Sequence, residues 1–163
     1  MSIRTGLVLA SLAGFGMALV LGCSGTTGPD GETFPLAGKI NVGLSIVLPS
    51  MVWPASEPGL YLHLTSRQSY DAGCYRFLME QHLGDVTLLV RVKSVFRPSG
   101  LCTGELSPAH SVVFLGDLPN GVYALHLADR ERTYPGLLTV QDDQLEVVFP
   151  DTTRFCFTAS SYP

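Results

Sequence analysis

Apolar and polar residues alternate in several short stretches of this chain. The segment AGKINVGLSIVL at 37–48 carries Ile, Val, Leu and Ile at every second position, and the same period recurs in LYLHLTS at 60–66 and DVTLLVRVKSVF at 85–96. A period of two is the pattern of a strand with one buried face. We therefore predict three strands here, with Val86 as the first inward residue of the third.

The remaining patterned segments are short and separated by turn residues. CYRFLMEQHL at 74–83 fits a strand or a short amphipathic helix, and alternation together with flanking glycines favours the strand. RPSGLCTGELSPAH at 97–110 is predicted as a long loop. Residues 111–159 then contain five short strands, divided by GDLPNG, DRER, QDDQ and PDTT. Regularly spaced short strands with turn chemistry favour an antiparallel sandwich or barrel.

One segment, FLGDLPNGVYALHL at 114–127, combines a turn with a strand. Pro119 fits the first corner of the turn, and we expect Gly121 to take a positive φ at its end. Tyr123 should then point inward and bond its hydroxyl to loop backbone. Leu125 and Leu127 share its face, and the outward face carries Val122, Ala124 and His126.

This segment resembles the F…LPxGxYxLxV motif of prealbumin-like sandwiches, such as carboxypeptidase regulatory-like domains and the B-type repeats of bacterial adhesins. The resemblance implies an all-β fold, an antiparallel Ig-like or prealbumin-like Greek-key sandwich. It covers about a quarter of the chain after residue 22. The first half departs from that family, because it carries Cys74 and Cys102 in place of a Gly-rich hairpin. A fold of this kind does not determine function.

The N-terminus has the pattern of an export signal. Arg4 supplies a positive charge, and the 16 residues from Gly6 to Leu21 carry none. That run is shorter than the ~20 residues that span a bilayer as a helix, and a secretory signal peptide fits it best. The alternatives are a membrane-spanning anchor and an ordinary signal followed by a coincidental cysteine.

Val20-Leu21-Gly22-Cys23 resembles the lipobox of bacterial lipoproteins, although Leu21 stands where Ala or Ser is more common. The resemblance implies cleavage before Cys23 and a diacylglycerol on its thiol, so the membrane is a partner through the lipid. Ser24 resembles the residue of outer-membrane lipoproteins. We therefore expect a lipid-anchored protein of the bacterial cell envelope, in the outer membrane.

The chain divides into three parts on this interpretation. Residues 1–22 are the signal peptide, residues 23–36 are the lipidated cysteine and a Gly- and Pro-rich tether, and residues 37–163 are a single β-sandwich domain. The net charge is −4, and Arg4 is the only charged residue that cleavage would remove. Because no block of Lys and Arg occurs, we expect no nucleic-acid partner.

Three cysteines remain for the exported domain: Cys74, Cys102 and Cys156. An oxidising compartment favours a disulfide, and an odd count leaves one thiol over. We rank Cys74–Cys102 first, then Cys102–Cys156, then Cys74–Cys156, because the sequence alone does not determine the pairing. The remaining cysteine is expected to be a buried apolar residue.

Recognisable catalytic chemistry is absent from the sequence. No nucleophile motif, phosphate loop or zinc spacing occurs, so we predict no catalytic residue, metal or cofactor. His63 and His126 lie on outward faces and would converge on a metal only if their strands were neighbours. We favour solvated surface residues for both.

Two aromatic residues of the first half are candidates for ligand binding. Trp53 lies in a Pro-punctuated loop and Tyr61 lies on an outward strand face, and exposed aromatics stack on sugars or pack on proteins. Trp53 could instead cap the core. We expect a non-enzymatic envelope accessory or protein-interaction domain, with an envelope protein as partner. The alternative is a carbohydrate or small-molecule binding module. The oligomeric state is left open.

Overall fold

The structure of the protein is a computed structural model that describes residues 31–47, 57–71, 73–100, 102, 104–142 and 144–157. These residues form strands and connecting turns, without a helix. The strands are β1 (Gly31–Phe34), β2 (Ile40–Val47), β3 (Gly59–Tyr70), β4 (Arg76–Leu83), β5 (Thr87–Pro98), β6 (Ser107–Gly116), β7 (Gly121–Ala128), β8 (Thr133–Gln141), β9 (Gln144–Val148) and β10 (Phe155–Phe157). The prediction of an all-β protein is confirmed.

Within the described residues the strands form two sheets. In the six-stranded sheet, β4 pairs with one edge of β5. The other edge of β5 pairs with β7 near its start and with β1 near its end, and β8 and β9 continue the sheet beyond β7. The four-stranded sheet has the order β10-β2-β3-β6. Neighbours are antiparallel except for β5–β7 and β10–β2. The sheets are therefore mainly antiparallel.

The inward faces of both sheets meet in one apolar core. Alternation produces this core, because every second residue of a strand points to the same face. Its fully buried members include Leu62, Leu64, Leu88, Val90, Leu125 and Leu127. Burial of a side chain of this size contributes about 1.5–3 kcal/mol before entropic costs. The predicted inward positions of β2, β3 and β7 are confirmed.

Several boundaries differ from the sequence prediction. Residues 31–34, assigned to the tether, form β1 and pair antiparallel with the end of β5. Val86 is 64% exposed, because the chain turns before β5 and Gly84 N–H donates to Thr87 O. The predicted loop at 97–110 is shorter, since β5 continues to Pro98 and β6 begins at Ser107. The prediction of a strand at β4 is confirmed, and so is the prediction of five strands after the 97–110 loop, which are β6 to β10.

The turn before β7 was predicted only in part. Tyr123 is buried, and its hydroxyl donates to Pro119 O at 2.6 Å, as expected. Gly121 does not have a positive φ, so that prediction is wrong. The turn is entered instead through Gly116, whose φ is 102°, and Gly121 already begins the extended β7. The left-handed position therefore precedes the proline.

A disulfide joins Cys74, before β4, to Cys102, after β5. This is the pairing ranked first from the sequence, and Cys156 remains free and half-buried. Beside it, Tyr75 stacks on Tyr70 at 4.6 Å between ring centroids and contacts Phe34 of β1 at 5.6 Å. The ring contact of Phe34 with Tyr75 connects β1 to the core.

Candidate functional site

Tyr61 lies on the outer face of the four-stranded sheet. Its ring packs against Phe114 of β6 with centroids 5.0 Å apart, and its hydroxyl donates to Glu57 O at 2.6 Å. Both rings are half-buried, so each keeps part of its surface towards solvent. We call Tyr61 and Phe114 the aromatic pair. Trp53, the other predicted binding residue, lies outside the described residues.

Two histidines extend this face, but only one of them, His63, belongs to the pair considered from the sequence. His63 lies near His110 of β6, with ring centroids 6.0 Å apart. Burial and the nearby His110 lower the pKa of His63, which favours the neutral imidazole. His126 belongs to β7 in the other sheet, so it does not meet His63.

The His63 ring also contacts Ser45 of β2, with 2.7 Å between Nε2 and Oγ. This atom points towards β2, on the side of β3 opposite to His110. The Nε2 atom of His63 is therefore occupied by Ser45 and not directed at His110. Within the described residues, no group of three or more His, Cys, Asp or Glu side chains could hold a metal ion.

The outer face of the six-stranded sheet carries exposed apolar side chains. Val122, Leu137 and Val148 are 61%, 51% and 52% exposed. Leu137 is the register partner of Ala124 on one side and of Val148 on the other, and Val122 lies on the adjacent diagonal, within side-chain reach. We call Val122, Ala124, Leu137 and Val148 the apolar stripe.

Charged residues lie on either side of the apolar stripe. Arg91, Lys93 and Arg130 line a hollow of about 470 Å³ next to β4, and we call these three the basic corner. Lys93 forms an ion pair with Glu80, and the hydrogen bond from Lys93 lowers the pKa of that carboxyl. Arg91 forms no salt bridge with a described residue.

Across the stripe, Asp142 and Glu146 are both exposed near the start of β9. We call them the acidic corner. Asp142 has a φ of 46° in the β8–β9 turn. Asn120 holds it there, because its Nδ2 donates to Asp142 Oδ1 at 2.9 Å and its Oδ1 accepts from Asp142 N at 3.1 Å.

A polar cluster surrounds Asp129 at one end of the fold. Its Oδ1 accepts hydrogen bonds from the backbone N–H groups of Glu131 and Arg132 at 2.9 and 3.0 Å. Its Oδ2 accepts from the Tyr134 hydroxyl at 3.3 Å and lies 3.5 Å from Arg154 Nε. Burial opposes the charge of Asp129, but these donors outweigh it and lower the pKa of the carboxyl.

This cluster borders a polar pocket of about 500 Å³, yet its charges are already paired within the fold. Arg132 lies over the Tyr134 ring, 4.5 Å from the centroid, and approaches Asp151 at 3.4 Å. The cluster therefore holds the β7–β8 turn together. At the other end, a pocket of about 210 Å³ lies between Leu118 and Leu145.

In the part of the chain that the structure describes, no helix has the length and apolar character needed to cross a membrane. Cys23 lies outside that part, so the predicted lipid anchor stays a prediction. No family model, curated protein or solved structure matches the chain.

Sequence reasoning found Tyr61 but missed its partner Phe114 and the apolar stripe. The outward orientation of Val122 was predicted correctly. The adjacency of Leu137 and Val148 depends on the register between β8 and β9, which alternation within one strand does not report.

Proposed function

We propose that this protein is a lipid-anchored lipoprotein of the bacterial cell envelope, whose β domain is a non-enzymatic protein-interaction domain. The lipobox-like Val20-Leu21-Gly22-Cys23 supports the anchor. The two sheets around one core support an Ig-like or prealbumin-like sandwich as the scaffold. The anchor attaches the domain to the membrane, and a sheet face provides the contact surface.

The apolar stripe carries this proposal. Three of its side chains are more than half exposed, and they lie side by side on adjacent strands. Single exposed apolar residues are ordinary, but a contiguous group rimmed by charges is typical of protein contact surfaces. The stripe lies on three paired strands of a regular sheet, β7, β8 and β9, so a partner meets a rigid surface and loses little entropy on binding.

A crosslinking pull-down from native membranes tests the proposal. The tagged full-length protein should capture one dominant protein, and Leu137→Glu should abolish that capture because it places a charge in the stripe. Leu106→Glu is the matched control, since Leu106 is 78% exposed and lies in the loop before β6. Equal capture by Leu137→Glu and the unaltered protein would remove the stripe as the contact surface.

A second candidate function rests on the aromatic pair. Tyr61 and Phe114 present partly exposed rings on one sheet face, and such rings stack on sugars. A carbohydrate-binding module would lose binding to a glycan array when Tyr61 is replaced by Ala, whereas Leu137→Glu would bind normally. An array without any signal excludes this candidate for the glycans printed on it.

A further inference from the structure

We propose that the partner of the apolar stripe is a second copy of this chain, packed face to face on the six-stranded sheet as a symmetric homodimer. This inference rests on the proposed function, because it names the partner of the same surface. It is carried by the charge distribution: a basic corner and an acidic corner lie diagonally across one apolar stripe.

The positions of the corners follow from the strand register. Across the sheet, Arg91 is on β5, on one side of β7, whereas Glu146 is on β9, two strands away on the other side. Along the strands, Arg91 is level with Ala128 at the end of β7, and Glu146 is level with Val122 near its start. Arg91 and Glu146 therefore differ in position both across the sheet and along the strands, and the apolar stripe lies between them.

A surface of this kind is its own complement. A twofold axis that lies in the interface, and crosses the stripe between the corners, places each basic corner over the acidic corner of the partner. The same rotation packs the stripe of one copy onto the stripe of the other. Each contact then occurs twice, as in the isologous interfaces of closed dimers. An unrelated partner would need to supply both charges and the apolar centre independently.

The face is large enough for this contact. Five strands about 4.8 Å apart give a width of about 24 Å, and the eight residues of β7 give a length of about 26 Å. The flat projection is about 600 Å², and side-chain relief increases the accessible area towards the roughly 800 Å² per partner of a standard interface. Attachment of both copies to one membrane would raise their effective concentration further.

The first measurement is sedimentation velocity of the full-length chain over a range of concentrations, purified in detergent from whichever cell fraction holds it. We expect a monomer–dimer equilibrium. Leu137→Glu should raise the dimer dissociation constant at least about tenfold, because the substitution puts two carboxylates near the twofold axis. Leu106→Glu, again the matched control, should leave the constant unchanged. A chain that stays monomeric throughout overturns the proposal.

A charge exchange then tests the geometry. Arg91→Glu and Glu146→Arg should each raise the dissociation constant about tenfold, since each places like charges opposite one another in both symmetry-related contacts. The double variant should return the constant to within about threefold of the original, because every Glu again faces an Arg. Singles without effect, or a double variant no better than the singles, would contradict the proposed pairing.

The two proposals can fail separately. If the chain is monomeric, but Leu137→Glu still abolishes capture of another protein from membranes, the homodimer is wrong and the protein-interaction function stands. If Leu137→Glu changes neither self-association nor capture, both proposals fall. A dimer that depends on Leu137 and on the charge exchange supports both.

Discussion

At the scale of single residues, Asp129 shows how a buried charge can be tolerated. The residue is only 6% exposed, and an isolated carboxylate at such a position would be strongly destabilising. Two backbone N–H groups, the Tyr134 hydroxyl and Arg154 compensate its desolvation. The DRER segment was predicted as a turn from its composition. The physical reason is that its first carboxylate caps the turn that follows.

We predict that Asp129→Asn lowers the free energy of unfolding at neutral pH by about 2–4 kcal/mol, because Arg154 loses its buried counter-charge. Urea denaturation measures this change. Asp151→Asn is the control: the Asp151 side chain is 36% exposed and its ion pair with Arg132 lies at the surface, so its loss should cost less than about 1 kcal/mol.

The lowered pKa of Asp129 also gives the sign of its pH dependence. Because the folded state holds the proton less tightly than the unfolded state, the stabilisation is complete above the ordinary carboxyl pKa of about 4 and is lost as pH falls through the folded value. The unaltered protein should therefore lose stability below about pH 4 more steeply than Asp129→Asn. Parallel pH profiles would contradict this role.

At the scale of elements, the strands depend on connections that lie outside their own hydrogen bonds. β1 has four residues and is mostly exposed, so its pairing with β5 is reinforced by Phe34 against Tyr75. A side chain at Gly31 would collide with the Phe96 ring and with Arg97 O, so this position requires glycine. The Cys74–Cys102 disulfide holds the start of β4 against the loop after β5.

Removal of this disulfide should destabilise the domain. The bond spans 28 residues of sequence, and closure of a loop of that length contributes about 3.6 kcal/mol in the chain-entropy model. We expect the Cys74→Ala, Cys102→Ala double variant to lose about this much in urea denaturation. Cys156→Ser should change stability little, since Cys156 forms no disulfide. An unchanged midpoint in the double variant would show that the disulfide does not stabilise the fold.

At the scale of the whole molecule, alternation predicted which side chains are inside but not which strands are neighbours. Leu62, Leu88 and Leu125 were assigned inward from period alone, and all three are fully buried. The parallel pairing of β5 with β7 joins segments far apart in sequence, and a one-dimensional pattern does not specify it. The candidate surfaces follow the same rule: Tyr61 was identified as a residue, whereas its contact with Phe114 required the β3–β6 register.

The proposed anchor determines how the whole molecule meets the membrane. β1 begins at Gly31, eight residues after Cys23, so an extended tether reaches at most about 29 Å. Two or more acyl chains on Cys23 would hold the protein firmly, because each buried CH₂ contributes about 0.8 kcal/mol. The lipid would thus keep the domain close to the bilayer.

We therefore predict that Cys23→Ser moves the protein from the membrane to the soluble fraction, measured by membrane flotation and quantitative blotting. Cys156→Ser is the matched control and should float with the membranes, since it removes a cysteine from the domain. Both variants should unfold at the same urea midpoint as the unaltered domain, which separates loss of the anchor from loss of the fold. Flotation of Cys23→Ser with the membranes would mean that another segment attaches the protein, and the lipoprotein proposal would then be wrong.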